Sequence, residues 1–309
     1  MVLPRSCHGA RSDVRNSAFG PRRRGGRDGI VRCMSRSTAG WSRSRLTGVL
    51  VSLALLAGLV VAALVPVLRP VLLVALGVVV VMAPRGSAWR WAAAAGLPVA
   101  LILLWGAVAG NQARSDLADC ANLFSPPAVV RVAEAIVVCG LIALLARWLG
   151  VGVLSLGLPR PSRQEMALGA VAVALIPLGS LLLGGWLAEP FFGPVRLQLA
   201  DPGAIVPALT LAVANGVMEE LAYRGALMVW LSRASVPLLA LVGQAAVFAA
   251  AHSGGDFIGD AWPVMLAVGA GGLLAGIVAR RTGSLWLPII VHIGFDVPLY
   301  YAAVCRLPA

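Results

Sequence analysis

The sequence predicts an all-α fold, a polytopic bundle of about nine transmembrane helices, with eight as the alternative count. Hydrophobic residues make up 59% of the 309 residues, charged residues make up 12%, and the mean hydropathy is +0.88. A soluble protein of this size needs more charge on its surface. The apolar residues form long runs, and the alternating short segments of a membrane β-barrel are not seen. We therefore expect nearly the whole chain to lie in a bilayer.

Nine apolar runs are long enough, or nearly so, to cross about 30 Å of hydrocarbon. The first two are separated only by Arg69, and the second is short and begins at Pro70. These two runs form either two spans or one helical hairpin or re-entrant pair, which accounts for the two counts. The predicted helices are residues 46–68, 70–84, 91–110, 127–147, 165–188, 204–232, 235–252, 262–280 and 284–305.

The arginines orient the predicted bundle, because basic residues are retained on the cytoplasmic side of a membrane. All 25 basic residues are arginines. With the N-terminus inside, the cytoplasmic connections hold Arg85, Arg90, Arg147, Arg160, Arg163, Arg233, Arg280 and Arg281. The other side holds Arg69, Arg114, Arg131, Arg196 and Arg306 with Asp116, Asp119, Asp201, Asp256 and Asp260. We expect an integral protein of a bacterial inner membrane with a cytoplasmic N-terminus.

Composition divides the chain into three regions. Residues 1–45 are rich in Arg, Ser and Gly and are expected to form a disordered cytoplasmic tail. Residues 46–200 hold the N-terminal transmembrane helices, and residues 201–309 form a catalytic transmembrane core. The basic tail is attributed to membrane topology, so nucleic acid is not an expected partner. Cys120 and Cys305 fall on the predicted outer side, where they are either bridged or two unrelated thiols.

Ionisable residues inside the spans are concentrated in the last third of the chain. Each costs roughly 2.5–3.5 kcal/mol on insertion scales, so each needs a partner or a function. The polar groups between residues 203 and 305 are Asn215, Glu219, Glu220, Arg224, Gln244, His252, His292 and Asp296. This concentration indicates a functional site in the C-terminal spans.

Two adjacent glutamates are expected to have different roles. Glu220 and Arg224 are four residues apart on one helix, so their side chains meet and neutralise each other. Glu219 is rotated about 100° from Glu220, near Asn215 and Tyr223, and has no helical cation. A buried carboxyl in this situation suits a general base or acid. We interpret Glu220 and Arg224 as structural support and Glu219 as catalytic, with a lock between helices as the alternative for all three.

Two further pairs repeat this spacing on later helices. Phe248 and His252 lie near the end of one predicted span, so His252 faces where Phe248 faces. His292 and Asp296 share a face of the last span. One Glu and two His from three helices suit water activation and stabilisation of a tetrahedral oxyanion. The sequence therefore predicts hydrolysis at mid-depth in the membrane.

These residues resemble the three motifs of the CAAX protease and bacteriocin-processing family, also called CPBP or Abi, which includes the type II CAAX prenyl endopeptidases. The motifs EExxxR, FxxxH and HxxxN/D stand at residues 219–224, 248–252 and 292–296, in the family's order. The resemblance covers about residues 204–304. It implies an intramembrane peptidase of the glutamic or metallo type, acting on a peptide or membrane-protein substrate.

The resemblance also implies roles for single residues. Glu219 would polarise the attacking water, while His252 and His292 would assist with water and oxyanion. Asp296 would support His292 or the oxyanion, although many eukaryotic members carry Asn there and an ionised Asp donates no hydrogen bond. The motifs' other members, Glu220, Arg224 and Phe248, would support the site.

Cofactor and function each retain an alternative. No metal or other cofactor is expected, although Glu219, His252 and His292 would be the ligands of an open zinc site if one exists. A non-catalytic immunity or scaffold protein that binds a peptide in the same cavity is the main alternative function. A transporter with proton-carrying carboxylates is a third, disfavoured because no internal repeat relates the two halves of the chain.

Overall fold

Every regular element in the described part of the chain is helical. The computed structural model describes residues 43–113, 126–192, 205–253 and 261–304, which belong to the unit Ser42–Ala309. The α-helices are α1 Arg43–Leu64, α2 Arg69–Met82, α3 Ala88–Ala113, α4 Pro126–Trp148, α5 Arg163–Phe192, α6 Ile205–Glu219, α7 Val229–Ala234, α8 Pro237–Ala251, α9 Trp262–Thr282 and α10 Trp286–Val304. A π-helix, Glu220–Met228, joins α6 to α7. The predicted all-α class is confirmed for these residues.

Nine predicted runs correspond to these helices, with α6, the π-helix and α7 forming one continuous helix. Prolines stand in the first turn of α2, α8 and α9, where a missing N–H leaves no hydrogen bond unmade. Gly283, with φ of 69°, ends α9 in the left-handed conformation that glycine adopts readily. The tail expected at 1–45 lies outside the described residues except for its last three positions, and so do Cys120, Cys305 and Asp256.

Five helices are long and apolar enough to cross a membrane, among the described residues. They are Arg43–Leu64, Ala88–Gly106, Val129–Trp148, Ile205–Ala234 and Trp262–Thr282. Three shorter apolar helices accompany them, Pro66–Met82, Pro237–Ala251 and Trp286–Val297. The chain is therefore an integral membrane protein, while the count of eight or nine spans stays a prediction.

Arg69 holds the turn between the first two helices. A short 3₁₀ segment, Pro66–Leu68, separates α1 from α2. The guanidinium of Arg69 donates to the carbonyls of Ala62 and Ala63 at 3.0 and 2.9 Å, and to Leu103 of α3 at 3.0 Å. The carbonyls at the end of a helix lack partners within it, so this half-buried cation satisfies them and fixes the turn against α3.

Several arginine-bearing helix ends meet at one end of the bundle, which we call the basic end. It comprises the start of α3 with Arg90, the end of α4, the end of α7 with Arg233, and the starts of α5 and α10. Arg90 lies over the ring of Trp148 at 5.2 Å, and Arg233 lies over Trp91 at 4.8 Å. The indole of Trp286 donates to the carbonyl of Pro159 at 2.6 Å. Arginines that the sequence assigned to the cytoplasmic side are thus close in space.

Two glycines allow the C-terminal helices to approach one another closely. α10 packs against α6 and α5, α4 packs against α6, and α8 packs against α9 and the π-helix. A Cβ atom on Gly216 would lie 3.0 Å from Cγ1 and 3.3 Å from the backbone N of Ile293 on α10. One on Gly272 would lie 3.0 Å from both Arg224 and Phe248. The polar residues of α6, the π-helix, α8 and α10 are brought together by this packing.

Candidate active site

The first motif lies where an α-helix changes into a π-helix. The π-helix begins at Glu220, directly after Glu219, and all of its nine residues, Glu220–Met228, are buried. π-helical segments are rare and are found often at functional sites. The sequence predicted an α-helix throughout, because an apolar run with buried polar residues does not distinguish i→i+4 from i→i+5 hydrogen bonding. This local conformation was therefore not predicted.

Glu220 joins the first motif to the third. Its Oε1 accepts a hydrogen bond from Nη1 of Arg224 at 2.9 Å, and both side chains are almost fully buried. The predicted pair is thus confirmed. The same oxygen lies 2.8 Å from Nδ1 of His292 on α10. Glu220 therefore contacts the predicted catalytic histidine directly, a contact that the helical spacing alone did not predict.

Glu219 has one buried carboxylate oxygen that lies near His292. Its Oε2 is buried and forms no hydrogen bond with the described residues. Nε2 of His292 lies 3.5 Å from this oxygen, which is within ion-pair range and too long for a strong hydrogen bond. The two ring nitrogens of His292 thus face the two adjacent glutamates. Glu219 and His292, predicted to converge, lie next to each other.

Asp296 lies beside His292 and is held by α6. Its Oδ2 is 3.7 Å from Nε2 of His292, beyond hydrogen-bond distance. The same oxygen accepts a hydrogen bond from Nδ2 of Asn215 at 2.8 Å. Asn215 was noticed in the sequence as a buried polar residue near Glu219 and was given no role. The structure places it as the anchor of Asp296, in a network that spans α6 and α10.

His252 and His292 both lie near the ring of Phe248. His252 is the C-cap of α8, and its Nδ1 is 2.8 Å from the carbonyl oxygen of Phe248. The ring of Phe248 lies 4.8 Å from the His252 ring and 6.1 Å from the His292 ring. Among the described residues, the hydrogen bonds and ion pairs of Glu219 and His292 do not include His252. The second motif therefore adjoins the cluster through Phe248.

Aromatic rings cover the buried cation of the first motif. The guanidinium of Arg224 lies 4.2 Å above the ring of Phe248, and Tyr223 meets Phe248 edge to face at 4.8 Å. A cation–π contact of a desolvated guanidinium contributes up to about 2 kcal/mol. On the facing helices, Gln244 of α8 donates to the carbonyl of Gly272 at 2.9 Å. Phe248 thus packs on Arg224 and Tyr223, and its supporting role stays a prediction.

An ion pair of α4, which the sequence analysis missed, adjoins this cluster. Nη1 of Arg131 lies 2.7 Å from Oε2 of Glu134, whose side chain is 3% exposed. α4 packs against α6 and contacts the π-helix. The available signal was a basic and an acidic residue three positions apart in an apolar run. It was overlooked because α4 precedes the motifs.

The side chains of the site are not arranged as a metal centre. No group of three or more His, Cys, Asp or Glu side chains in the described ranges is placed to hold a metal ion. The alternative ligand set of Glu219, His252 and His292 is not among such groups in these ranges. The expectation of no resident cofactor stays a prediction.

Comparison with known proteins identifies the same stretch of chain. Residues 201–298 match the family model described as type II CAAX prenyl endopeptidase Rce1-like. No curated protein and no solved structure matches the chain significantly. The matched residues are about a third of the chain and contain all three motifs. The C-terminal helices around Glu219, His252 and His292 therefore match the Rce1-like type II CAAX prenyl endopeptidases, a family of proteases, over the stretch that holds the three motifs.

Proposed function

We propose that this protein is an intramembrane endopeptidase in which Glu219 activates water. One observation carries the proposal: a buried oxygen of Glu219 forms no hydrogen bond within the described part of the chain and lies 3.5 Å from Nε2 of His292, inside an apolar bundle. A general base must have an unoccupied oxygen within reach of the water whose proton it takes. The protease family of residues 201–298 supports the same chemistry.

The first chemical step forms the tetrahedral intermediate. Glu219 takes a proton from water while the water oxygen attacks the carbonyl carbon of the peptide bond. The carbonyl π electrons move to oxygen, which becomes an oxyanion. His292, with Nδ1 held by Glu220, presents Nε2 toward the reacting atoms and donates to this oxyanion when it carries a proton on Nε2. His252, which lies next to Phe248, is proposed to assist in this step.

The second step breaks the C–N bond. The oxyanion reforms the carbonyl, and the bonding electrons leave with the amine nitrogen. The proton that Glu219 received from water is transferred to this nitrogen, so that the products are a carboxylic acid and an amine and the base is regenerated. Glu220 and Arg224 take no proton in this scheme, because they hold each other and His292 in place.

The proposed substrate is a peptide segment in or next to the bilayer. The motif residues lie within apolar helices, so a substrate reaches them from the membrane or its interface. The family name refers to C-terminal CAAX sequences, yet nothing in the described residues selects a prenylated cysteine. We propose the broader class, a membrane-associated peptide or membrane protein.

The decisive experiment compares the wild type with Glu219→Gln. Glutamine keeps the size of the side chain but is not a base, so the variant should accumulate and melt like the wild type while peptide cleavage falls to background. Cleavage is followed with fluorogenic peptides and with proteins of the native membrane. Glu165→Gln is the matched control, since Glu165 is also buried but lies in the first turn of α5, bound to Ser162. It should cleave like the wild type.

One result overturns the peptidase assignment. If a well-folded Glu219→Gln protein cleaves the same substrate as fast as the wild type, Glu219 is not the base. The non-catalytic peptide-binding protein then becomes the better interpretation. Binding of labelled peptide to the wild type and to the variant, measured in the same detergent, identifies that case.

A further inference from the structure

A cavity of about 370 Å³ opens at the basic end of the bundle. Its walls come from the connection between α4 and α5, the π-helix with the start of α7, the end of α9 and the start of α10. Glu219 and His292 are not among the described residues that line it. Sites for small ligands have volumes of about 300–1,000 Å³. The cavity is therefore large enough for a ligand and is separate from the proposed reacting groups.

Hydrogen bonds between elements hold the cavity in shape. The backbone N of Leu285, before α10, donates to the carbonyl of Gly157 at 2.6 Å. The indole of Trp286 donates to the carbonyl of Pro159 at 2.6 Å. Gly157, Pro159 and Leu285 all line the cavity. The connection between α4 and α5 is thus fastened to the start of α10, and the cavity is formed before any ligand enters.

The charged residues that line the cavity are both arginines, among the described residues. Arg224 is buried, and Glu220 offsets its charge at 2.9 Å. Arg280 is exposed, and its Nη1 donates to the neutral carbonyl of Pro237 at 3.3 Å. A guanidinium has five N–H donors, so this one bond leaves others for a ligand. The cavity therefore favours an anion, with Arg280 as the contacting cation.

The remaining walls are largely apolar, which narrows the class of anion. Leu156, Met228 and Leu285 are buried and line the cavity beside Arg280. A small soluble anion makes no use of such walls, whereas a lipid presents a phosphate next to hydrocarbon. Basic pockets between transmembrane helices on the cytoplasmic side bind anionic lipid headgroups. The basic end is the end that the sequence predicts to face the cytoplasm.

We infer that this cavity binds an anionic phospholipid, with Arg280 contacting its phosphate and the apolar walls contacting the first carbons of its acyl chains. The N-terminal segment of the chain is a poor occupant by charge, because residues 1–42 hold nine arginines and two aspartates. The inference goes beyond the proposed function and does not depend on it.

Lipid binding to the purified full-length protein in neutral detergent micelles, measured by native mass spectrometry, tests this site. Phosphatidylglycerol should bind, and phosphatidylcholine with the same acyl chains should bind about fivefold or more weakly, because it carries no net charge. Arg280→Gln should weaken phosphatidylglycerol binding about fivefold or more, and Arg280→Lys should recover most of the loss. Arg281→Gln is the matched control, since Arg281 is the next residue, exposed and outside the cavity lining, and binding should stay within about twofold.

Three outcomes would overturn the inference. Equal weakening by Arg280→Gln and Arg281→Gln would show a diffuse attraction to the basic end and no site. Equal binding of the two lipids would show that headgroup charge is not recognised. Inorganic phosphate should leave phosphatidylglycerol bound, and its displacement of the lipid would show that the cavity takes a free anion instead. None of these measurements uses peptide cleavage, so the proposed function is tested separately.

Discussion

Glu220 shows how one buried carboxylate holds two helices in register. It receives Arg224 from its own helix and His292 from α10 on the same oxygen. Taking two charges out of water is costly, and the cost is offset only while both partners are present. The residues around Glu219 are therefore fixed by a pair that itself takes no part in the proposed proton transfer.

Loss of one member of this pair should destabilise the protein strongly. Arg224→Ala leaves Glu220 as a buried charge without its helical cation, so the free energy of unfolding should fall by about 3–5 kcal/mol. Thermal unfolding in detergent and accumulation in membranes measure the effect. Arg281→Ala is the matched control, because Arg281 is exposed in the last turn of α9, and it should change stability by less than about 0.5 kcal/mol.

The outcome that reverses these roles involves Glu219 as well. If Glu219→Gln destabilises the protein as much as Arg224→Ala while the purified Arg224→Ala protein keeps its activity, then Glu219 is the support and Arg224 is dispensable for the chemistry. The combined change of Glu220→Gln with Arg224→Met should recover part of the lost stability, since neither charge is then left alone.

Asp296→Asn tests whether this residue acts as an anion or as a donor. The amide oxygen of Asn can still accept the hydrogen bond from Asn215, so the fold should be unaffected. The acceptor role seen here favours an anion that faces His292, and the substitution should therefore lower kcat severalfold without changing the melting temperature. Steady-state kinetics measure this. Unchanged or higher activity would instead indicate that Asp296 is protonated and donates a hydrogen bond to the oxyanion, as the amide of Asn can.

Residue spacing predicted the contacts within helices and missed the contacts between them. Glu220 and Arg224 were paired correctly because four residues bring two side chains to one helix face. The bond from Glu220 to His292 and that from Asn215 to Asp296 depend on how α6 crosses α10, which spacing along one helix does not contain. His252 contacts the ring of Phe248 at 4.8 Å, and its part in the site stays a prediction.

At the scale of helices, the contact of α6 with α10 depends on Gly216. A side chain at this position would press on the backbone N of Ile293, one residue from His292. Gly216→Val should therefore move α10 outward, lower kcat at least tenfold and destabilise the protein by about 1–3 kcal/mol. Gly271→Val is the control, because a Cβ there meets nothing within 4 Å.

The measurement for Gly216 combines kinetics with unfolding. A Gly216→Val protein with wild-type activity and wild-type melting temperature would contradict the close packing of these helices. Gly271→Val should keep wild-type activity, since α9 presents that glycine to open space. A fall in activity shared equally by the two variants would indicate a general effect of valine in a helix.

Helix positions were predictable from the chain, and the helical geometry inside them was not. The predicted runs and the observed helices agree within a few residues because prolines begin α2, α8 and α9 and Gly283 ends α9. The change to a π-helix at Glu220 has no such signal. All nine residues of this segment are buried, and a pattern of apolar residues does not specify how their backbone hydrogen bonds are spaced.

At the scale of the whole molecule, the basic end predicts the orientation in the membrane. Arg90 and Arg233 lie at this end, together with the starts of α5 and α10. Positively charged connections remain in the cytoplasm. Arginines that the sequence assigned to the cytoplasmic side thus lie together at one end of the bundle. The side of the membrane that this end faces stays a prediction.

Cysteine labelling should place the two ends of the bundle on opposite sides. In a cysteine-free background, single cysteines at Arg85, Arg160, Arg233 and Arg281 should be protected from an impermeant thiol reagent in intact cells and should react after lysis. A cysteine at Asp256, outside the described residues, should react in intact cells. If the cysteine at position 256 is protected and those at the arginine positions react, the orientation is the reverse of the predicted one. If all of these cysteines are protected, the predicted number of helices is wrong.

The π-helix at Glu220–Met228 limits which changes in its coding sequence the protein tolerates. Because its hydrogen bonds follow an i→i+5 pattern, its side chains point in directions that differ from those in an α-helix of the same length. Loss of a single codon in this stretch would rotate everything on one side by about 100° relative to the other. The side chains of α6 and those of α7 would then no longer face their present partners at the same time, even though every remaining side chain is the original one. Natural variants should thus tolerate exchanges of amino acids here far better than any change in the number of residues.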